Sequence, residues 1–369
     1  MKYITTLTII TILLVFNATA QTTQPLNSFL QFTGSIDKES SLTMNLVRVG
    51  DSLYGDYSCI AAGKVMKTDY RYKGDSRQVF GKITGKGNFW IKEWPGSEGP
   101  VFRGQFTDNQ NLRGTWSPNA RSGIKLSFVL TEKNNTGNLR FNPYIVRDHK
   151  NLVKDEKSPR AKINMILLAL SKETISKGFD TVQRILLTKF SGDDNKNGDP
   201  EKLLAEIRKD YFTNYIQDNE TLYKEMPGAS FGWELIRSTH IIYNDHDKLC
   251  FYILSYSFTG GAHGQQSQVF TCVDLKKKRI ITLQDIFIQG FEAELDRLLT
   301  KKLHTMSNLP ESAKLSESGY FTDEINHNDN FYLNGNGIGF FYNQYEIAPY
   351  SFGATEIFLT TEELRPILK

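Results

Sequence analysis

The chain has 369 residues, a formal net charge of +3 and a charged fraction of 23%. This length is typical of two domains that each bury a core, and the ordinary charged fraction excludes a wholly disordered chain. The nearly balanced charge argues against general nucleic-acid binding, and three cysteines allow at most one disulfide within the chain.

Residues 1–20 have the pattern of a secretory signal peptide. Lys2 precedes an apolar run from Ile4 to Phe16, and small residues follow at Ala18 and Ala20, where a signal peptidase would cleave. The run is short for a membrane span, no later segment reaches about 18 consecutive apolar residues, and no cysteine stands at the cleavage site. We therefore expect a secreted or periplasmic protein without a lipid anchor or a transmembrane segment.

Residues 28–133 have the pattern of an all-β domain. Alternating polar and apolar residues are separated by short polar turns, which is typical of an antiparallel meander. Glycine recurs within the strands, where it lets a sheet bend or lets a neighbouring aromatic ring lie over it. These glycines are Gly55, Gly81, Gly104 and Gly114. We predict a curled sheet or an open barrel in which the glycines are structural; a ligand-binding barrel mouth is the alternative.

A polar, glycine-containing break at residues 132–138 separates this region from residues 140–369, where helical and strand patterns mix. Asp199 and Pro200 favour the start of a helix, and Thr360 with Glu363 forms a capping-box pattern. Strand patterns cover residues 231–243, 249–258, 268–274 and 339–345, and a helical pattern covers residues 291–303. The sequence thus predicts an α+β domain with helices packed on an antiparallel sheet.

Two short motifs suggest chemistry but lack part of the required pattern. Ser230 lies within Gly-x-Ser-x-Gly, as a hydrolase nucleophile does, but here we expect a strand after the serine and not before it. A glycine-bearing turn is therefore the favoured interpretation. Residues 193–199 resemble the start of a calcium loop, but Leu204 stands where the bidentate glutamate is required, so we favour a polar loop.

The histidines and cysteines do not support a metal site, and no cofactor is expected. No histidine has a second ligand type at the spacing of a metal site, and the cysteines are far from Cys-x-x-Cys spacing. Cys250 and Cys272 fall in neighbouring predicted strands, where a disulfide and a pair of buried thiols are both compatible with the sequence.

Two loops carry the candidate binding site. The loop at residues 259–264 has three glycines, which permit backbone conformations that other residues avoid, and residues 342–353 form a proline-stiffened aromatic loop. The candidate partner-binding residues are Gly260, Gly261, His263, Tyr345, Glu346, Pro349 and Tyr350. Two alternatives remain: His263 and Glu346 could form an acid–base pair, or the segments could be a turn and core aromatics.

Both loops resemble signatures of one bacterial family. Residues 256–264 read Tyr-Ser-Phe-Thr-Gly-Gly-Ala-His-Gly and resemble the signature Tyr-x-Tyr-Thr-Gly-Gly-Ala-His-Gly of a widespread extracytoplasmic domain of unknown function. Residues 341–350 are similar to its second signature. This domain is shared by RsiV-type lysozyme-sensing anti-sigma factors and by the N-terminal region of some peptidoglycan deacetylases. The resemblance covers residues 140–369.

The resemblance implies an exposed, non-catalytic binding module, which binds lysozyme in the anti-sigma factors and accompanies a separate catalytic domain in the deacetylases. This sequence shows neither a sigma-binding segment nor a deacetylase domain, and it adds the β-rich region. We therefore hypothesise an envelope protein that recognises a protein, with lysozyme as one candidate, or a cell-wall glycan. The alternatives are a glycan-processing enzyme that uses His263 and Glu346, and an assembly protein whose partner surface is the β-rich region.

Overall fold

The computed structural model describes residues 26–61, 72–94, 98–107, 111–133, 138–155, 157–193, 198–226 and 231–369. The predicted signal peptide and Ser230 lie outside the described residues, as do residues 134–137 of the predicted linker and residues 194–197 of the calcium-like loop. Within the described ranges, no helix combines the length and apolar character needed to cross a membrane.

The N-terminal region folds into a closed antiparallel barrel. In its described residues the strands are β1 (Asn27–Ile36), β2 (Ser40–Val49), β3 (Ser52–Ile60), β4 (Lys73–Thr84), β5 (Asn88–Glu93), β6 (Val101–Phe106), β7 (Asn111–Ser117) and β8 (Leu126–Glu132). Each strand pairs with the next along the chain, and β8 pairs back with β1. The predicted all-β meander is confirmed, and its ring is closed rather than open.

Strand glycines let neighbouring barrel strands approach each other closely. A Cβ atom at Gly55 would lie 1.9 Å from the carbonyl oxygen of Asn45, and a Cβ atom at Gly104 would lie 2.2 Å from that of Arg113. The other two glycines of the repeat make similarly close approaches to backbone oxygens. At all four positions any side chain would collide with the adjacent strand, so the repeat is a packing requirement of the barrel.

The C-terminal region contains a six-stranded sheet with the order β14-β13-β12-β11-β10-β9. Its strands are β9 (Phe141–Asn151), β10 (Arg160–Leu170), β11 (Trp233–Asp245), β12 (Lys248–Phe258), β13 (Gln265–Asp274) and β14 (Arg279–Ile280). A separate antiparallel sheet consists of β15 (Phe331–Asn334), β16 (Gly337–Tyr342) and β17 (Thr355–Thr360). In the six-stranded sheet, β10 and β11 are parallel because helices connect them, and the other neighbours are antiparallel.

Helices pack on these sheets, which confirms the predicted α+β layout. They are α1 (Lys172–Ser176), α2 (Asp180–Ser191), α3 (Pro200–Glu225), α4 (Leu283–Ile286), α5 (Glu292–Met306) and α6 (Thr361–Leu364). Helix α3 begins where predicted, because the Asp199 carboxylate accepts hydrogen bonds from the backbone N–H groups of Glu201 and Lys202, at 2.9 and 3.1 Å. Helices α2 and α3 pack against β10, and α5 packs against β17.

The barrel lies against the face of the six-stranded sheet that α2 leaves uncovered. On β11, Arg237 donates a hydrogen bond to the backbone oxygen of Phe190 in α2, whereas His240, on the opposite face of the strand, contacts Asp56 of the barrel. Direct hydrogen bonds also join the two regions. The Asn45 side chain, for example, donates to the backbone oxygen of Ile242 at 2.9 Å. The two regions therefore share an interface built from segments that are distant in the chain.

The two cysteines of the predicted hairpin are buried free thiols. Cys250 on β12 and Cys272 on β13 are direct cross-strand partners in the sheet. Burial raises the pKa of Cys250 well above its ordinary range, so this thiol stays neutral at physiological pH. Both side chains belong to the hydrophobic core beneath α5.

Candidate functional site

The two loops predicted to carry the site lie in contact. The imidazole of His263 stacks on the ring of Tyr350, with ring centroids 4.1 Å apart and an interplanar angle of 22°. The Tyr350 hydroxyl donates a hydrogen bond to the backbone oxygen of Gly264 at 3.4 Å. Two segments that are about 90 residues apart in the chain thus form one surface, as a shared site requires.

Glycines shape the first loop, which connects β12 to β13. Gly260 and Gly261 have φ angles of 105° and 90°, which side chains other than glycine rarely adopt. Gly264 is required for a different reason: a Cβ atom at this position would lie only 2.5 Å from the ring of Tyr256. The loop therefore turns tightly and leaves His263 exposed at its tip.

The strand before the second loop ends earlier than the predicted strand pattern at residues 339–345. Strand β16 ends at Tyr342, and Tyr345 lies in a turn with a φ of 69°, which is uncommon for a residue with a bulky side chain. Its ring is 53% exposed and lies 5.6 Å, between centroids, from the half-buried ring of Tyr350. Pro349, with a φ of −60°, precedes the short 3₁₀ turn that holds Tyr350. We call the rings of His263, Tyr345 and Tyr350 the aromatic platform.

Glu346 is exposed beside the platform, and its contacts are with asparagines. Its carboxylate accepts hydrogen bonds from the side-chain amides of Asn343, at 3.2 Å, and Asn328, at 3.4 Å. His263 instead has its Nδ1 atom 3.1 Å from the backbone oxygen of Gly264. Across the described ranges, no hydrogen bond or ion pair joins His263 to Glu346, so the alternative acid–base pair is not formed in this arrangement.

A second candidate region, which the sequence did not indicate, lies where the barrel meets the six-stranded sheet. Asp56 of β3 is only 3% exposed, and its carboxylate accepts hydrogen bonds from Nδ1 of His240 and from the hydroxyl of Tyr252, each at 2.9 Å. The His240 ring stacks on Tyr252, and its Nε2 atom lies 2.9 Å from Oγ of Ser238. Because a carboxylate only accepts hydrogen bonds, Nδ1 of His240 donates to Asp56.

Serine, histidine and aspartate in this order also occur in acyl hydrolases. In those enzymes with a Gly-x-Ser-x-Gly motif, the nucleophile stands at a sharp, exposed turn beside oxyanion donors. Ser238 instead lies within β11, between paired neighbours in β10 and β12. We therefore interpret the chain of hydrogen bonds as a link between the two domains.

Further buried carboxyl groups lie nearby, where β4 of the barrel meets the three-stranded sheet. Asp75 forms an ion pair with Arg77, and the Tyr332 hydroxyl donates to Glu356 while accepting from the backbone N–H of Ser76. Burial, and after it the nearby charge of Asp75, raises the pKa of Glu356 from 4.5 to about 7, while Arg77 opposes the shift. Burial likewise raises the pKa of Asp75 from 3.8 to about 6. Both carboxyl groups therefore titrate close to neutral pH.

A cleft with two arms runs along this interface. The apolar arm, of about 510 Å³, is walled mainly by apolar side chains of the barrel and the six-stranded sheet, with Ser238 and His240 in its wall. The polar arm, of about 720 Å³, is lined by charged and amide side chains and extends to Gln344 and Phe352, near the aromatic platform. Three side chains line both arms: Gln78, Trp94 and Gln266. We call the two adjoining arms the interdomain cleft.

The sequence could not have revealed this cleft, because its walls come from strands that are distant in the chain. Asp56 and His240, for example, are 184 residues apart. The only local signal is that Ser238 and His240 are two residues apart, which places both side chains on one face of a strand. In the part of the chain that the structure describes, no three His, Cys, Asp or Glu side chains come together as metal ligands.

Comparisons with known proteins point to one family. Residues 284–362 match the family model DUF3298, which is described as a protein of unknown function. The chain is similar to a crystal structure of a DUF3298 member from Bacteroides fragilis, with a TM-score of 0.60 and 28% identity over 64% of this chain and 96% of that chain. A DUF3298 protein from Pseudomonas aeruginosa shows a TM-score of 0.44 and 20% identity over 63% of this chain and 94% of that chain.

No curated protein matches the chain. The family match includes the second loop of the aromatic platform and stops before the end of α6. The similarity to the Bacteroides fragilis structure supports a shared fold over nearly the whole length of that protein. Residues 284–362 are thus similar to DUF3298, a domain of unknown function, while the link to RsiV-type anti-sigma factors stays a prediction.

Proposed function

We propose that this chain is an exported, non-catalytic binding protein of the bacterial envelope, and that the aromatic platform recognises a protein or a cell-wall glycan. The observation that carries this proposal is the stack of His263 on Tyr350, with Tyr345 exposed beside it. Export is supported by the signal-peptide pattern of residues 1–20 and by the resemblance to an extracytoplasmic domain.

The platform has the physical properties of a recognition surface. Tyrosine rings offer a large amphipathic contact area, and they lose little conformational entropy on binding when their positions are already fixed. Here Tyr350 is held by its stack on His263 and by its hydrogen bond to Gly264, while Pro349 stiffens the chain before it. Glu346 supplies an exposed carboxylate at the edge of the platform, which adds a hydrogen-bond acceptor for a partner.

Lysozyme and soluble peptidoglycan fragments are the two probes to test. Lysozyme follows from the family resemblance, and peptidoglycan fragments represent the glycan of the same environment. A glycan-processing enzyme that uses His263 and Glu346 is less favoured, because these side chains contact Gly264 and two asparagines respectively rather than each other.

Replacing a platform tyrosine should separate binding from stability. We expect Tyr345→Ala and Tyr350→Ala each to weaken binding of whichever probe binds the wild type by about tenfold, measured by titration calorimetry. Thermal unfolding should change little for Tyr345→Ala because this ring is 53% exposed. Leu222→Ala, which alters an apolar side chain of α3 that is 46% exposed, is the matched control and should leave binding unchanged.

The proposal fails if neither probe binds, or if both platform variants bind as tightly as the wild type. If Tyr350→Ala unfolds while Tyr345→Ala binds normally, the ring of Tyr350 is a core residue and the recognition surface lies elsewhere.

A further inference from the structure

We propose that the interdomain cleft binds an acylated saccharide, with the acyl chain in the apolar arm and the sugar in the polar arm. This site is separate from the aromatic platform, so the inference goes beyond the proposed function and does not depend on it. The inference is based on the two adjoining arms of the cleft, one with mainly apolar walls and the other with polar walls.

The apolar arm provides a site for a hydrocarbon chain. Its walls include Phe80 and Val79 of the barrel and Ile166, Ile236 and Leu254 of the sheet. Its volume of about 510 Å³ falls in the range of small-molecule sites, which is roughly 300–1,000 Å³. Asn164, Glu234 and Arg237 also line this arm, but most of its exposed wall is apolar. Water molecules against that wall have few hydrogen-bond partners, so replacing them with methylene groups is favourable.

The polar arm suits a neutral ligand rich in hydroxyl groups. Among the described residues that line it, acidic and basic side chains are equal in number, so no sign of charge is favoured. The acidic side chains are Asp56, Asp75 and Glu356, and the basic ones are Lys73, Arg77 and Lys302. Amide side chains also line this arm, together with aromatic rings such as those of Tyr320 and Phe352. Hydroxyl groups both donate and accept hydrogen bonds, and so match this mixture of partners.

One buried atom in this arm specifically requires a donor. Asp75 is only 8% exposed, and its Oδ1 atom has no hydrogen-bond partner within the described ranges, while its Oδ2 atom pairs with Arg77. A buried carboxylate oxygen without a partner is costly, and in folded proteins a bound molecule or an ordered water commonly satisfies such an atom. Because this oxygen is enclosed by its neighbours, a small shift of the surrounding side chains on binding would let a sugar hydroxyl reach it and supply the missing donor.

The junction explains why one ligand should occupy both arms. Gln78, Trp94 and Gln266 line both cavities, and the hydroxyl of Ser238 with the ring of His240 stands in the wall of the apolar arm. A molecule that passes from one arm to the other therefore meets amide and hydroxyl groups where its polar part begins. An ester or ether linkage between chain and sugar, with its acceptor oxygens, fits this position.

The test compares an acylated sugar with its two parts. Sucrose monododecanoate, below its micelle concentration, should bind the full-length mature protein at one site per molecule, measured by titration calorimetry. Sucrose alone and dodecanoate alone should each bind at least about tenfold more weakly, because each fills one arm only. Equal affinity for dodecanoate would show a fatty-acid site, equal affinity for sucrose would show a simple sugar site, and either result would overturn the proposal.

Variants locate the site. Ile236→Trp, which fills the apolar arm with a larger side chain, should weaken binding of sucrose monododecanoate by about tenfold. Asp75→Asn replaces one carboxylate oxygen in the polar arm by an amide nitrogen and should weaken binding about threefold. Ile288→Trp makes the same change at a residue that is 43% exposed and does not line the cleft, and it should have no effect.

If Ile236→Trp does not fold, Leu254→Phe makes a smaller intrusion into the same arm. Unchanged binding in folded variants of both arms would overturn the proposal, as would no binding of the ester by the wild type. Tyr345→Ala should bind sucrose monododecanoate as tightly as the wild type, which would show that this site is distinct from the aromatic platform.

Discussion

At the scale of single residues, Asp56 is the point where the barrel holds the second domain. Its side chain belongs to β3, but both hydrogen-bond donors to its carboxylate, His240 and Tyr252, belong to the six-stranded sheet. Burial and the charge of Asp56 raise the pKa of Tyr252 well above its usual range, so the hydroxyl remains a donor. A buried carboxylate is tolerated here because both of its oxygens accept hydrogen bonds from side chains of the other domain.

Removing this carboxylate should destabilise the protein. We expect Asp56→Ala to lower the free energy of unfolding by about 2–4 kcal/mol, because His240 and Tyr252 would both lose a buried acceptor. Urea unfolding followed by fluorescence measures the change. Asp51→Ala, at an exposed position in the turn just before β3, is the control and should change stability by less than about 0.5 kcal/mol. An equal effect of the two substitutions would mean that the interdomain link does not contribute to stability.

At the scale of elements, the barrel shows what a repeat in the sequence can and cannot predict. The alternation of residues predicted the strands, and the recurring glycines predicted close approach or bending. Closure could not be predicted, because it depends on the pairing of β1 with β8, for example Phe32 with Glu132, across the length of the region. No local pattern specifies which distant edges meet.

The close approach at the strand glycines has a direct consequence. Gly104→Ala should lower the free energy of unfolding by about 1–3 kcal/mol, because its Cβ would meet the carbonyl oxygen of Arg113 at 2.2 Å and force the strands apart. Gly123→Ala, where a Cβ would meet nothing within 4 Å, should be neutral or slightly stabilising. Circular dichroism during thermal unfolding compares them. Equal stability of the two variants would contradict the role assigned to the glycine repeat.

At the scale of the whole molecule, prediction succeeded where interactions are local and stopped where they join distant segments. The Asp199 cap of α3 and the Thr360–Glu363 capping box formed as the sequence indicated. The glycines of residues 259–264 and the aromatic residues of residues 342–353 predicted two loops of one candidate site, but the stack between them needed the structure. The spacing of Ser238 and His240 was the only sequence signal for the interdomain cleft, since each wall residue looks ordinary in its own strand.

The carboxyl groups buried between the domains make the stability of the whole molecule depend on pH. For Glu356, the pKa is about 7 in the folded state and 4.5 without the burial. Between these values the folded protein retains a proton that the unfolded chain has released. The free energy of unfolding therefore falls as the pH rises from about 4.5 to about 7, and the contribution of Glu356 is constant above that. Asp75, with a pKa raised to about 6, acts in the same direction.

Replacing Glu356 by its neutral analogue should remove much of this dependence. We expect Glu356→Gln to be more stable than the wild type by about 1–3 kcal/mol at pH 8, where the buried carboxylate is charged, and to differ little at pH 5, where it is protonated. Urea unfolding at both pH values measures the difference. Glu362→Gln, at an exposed position in α6, is the matched control and should shift stability equally at both pH values. If Glu356→Gln behaves like this control, the carboxylate is stabilised at the interface by contacts that offset its burial, and the interface does not sense pH through Glu356.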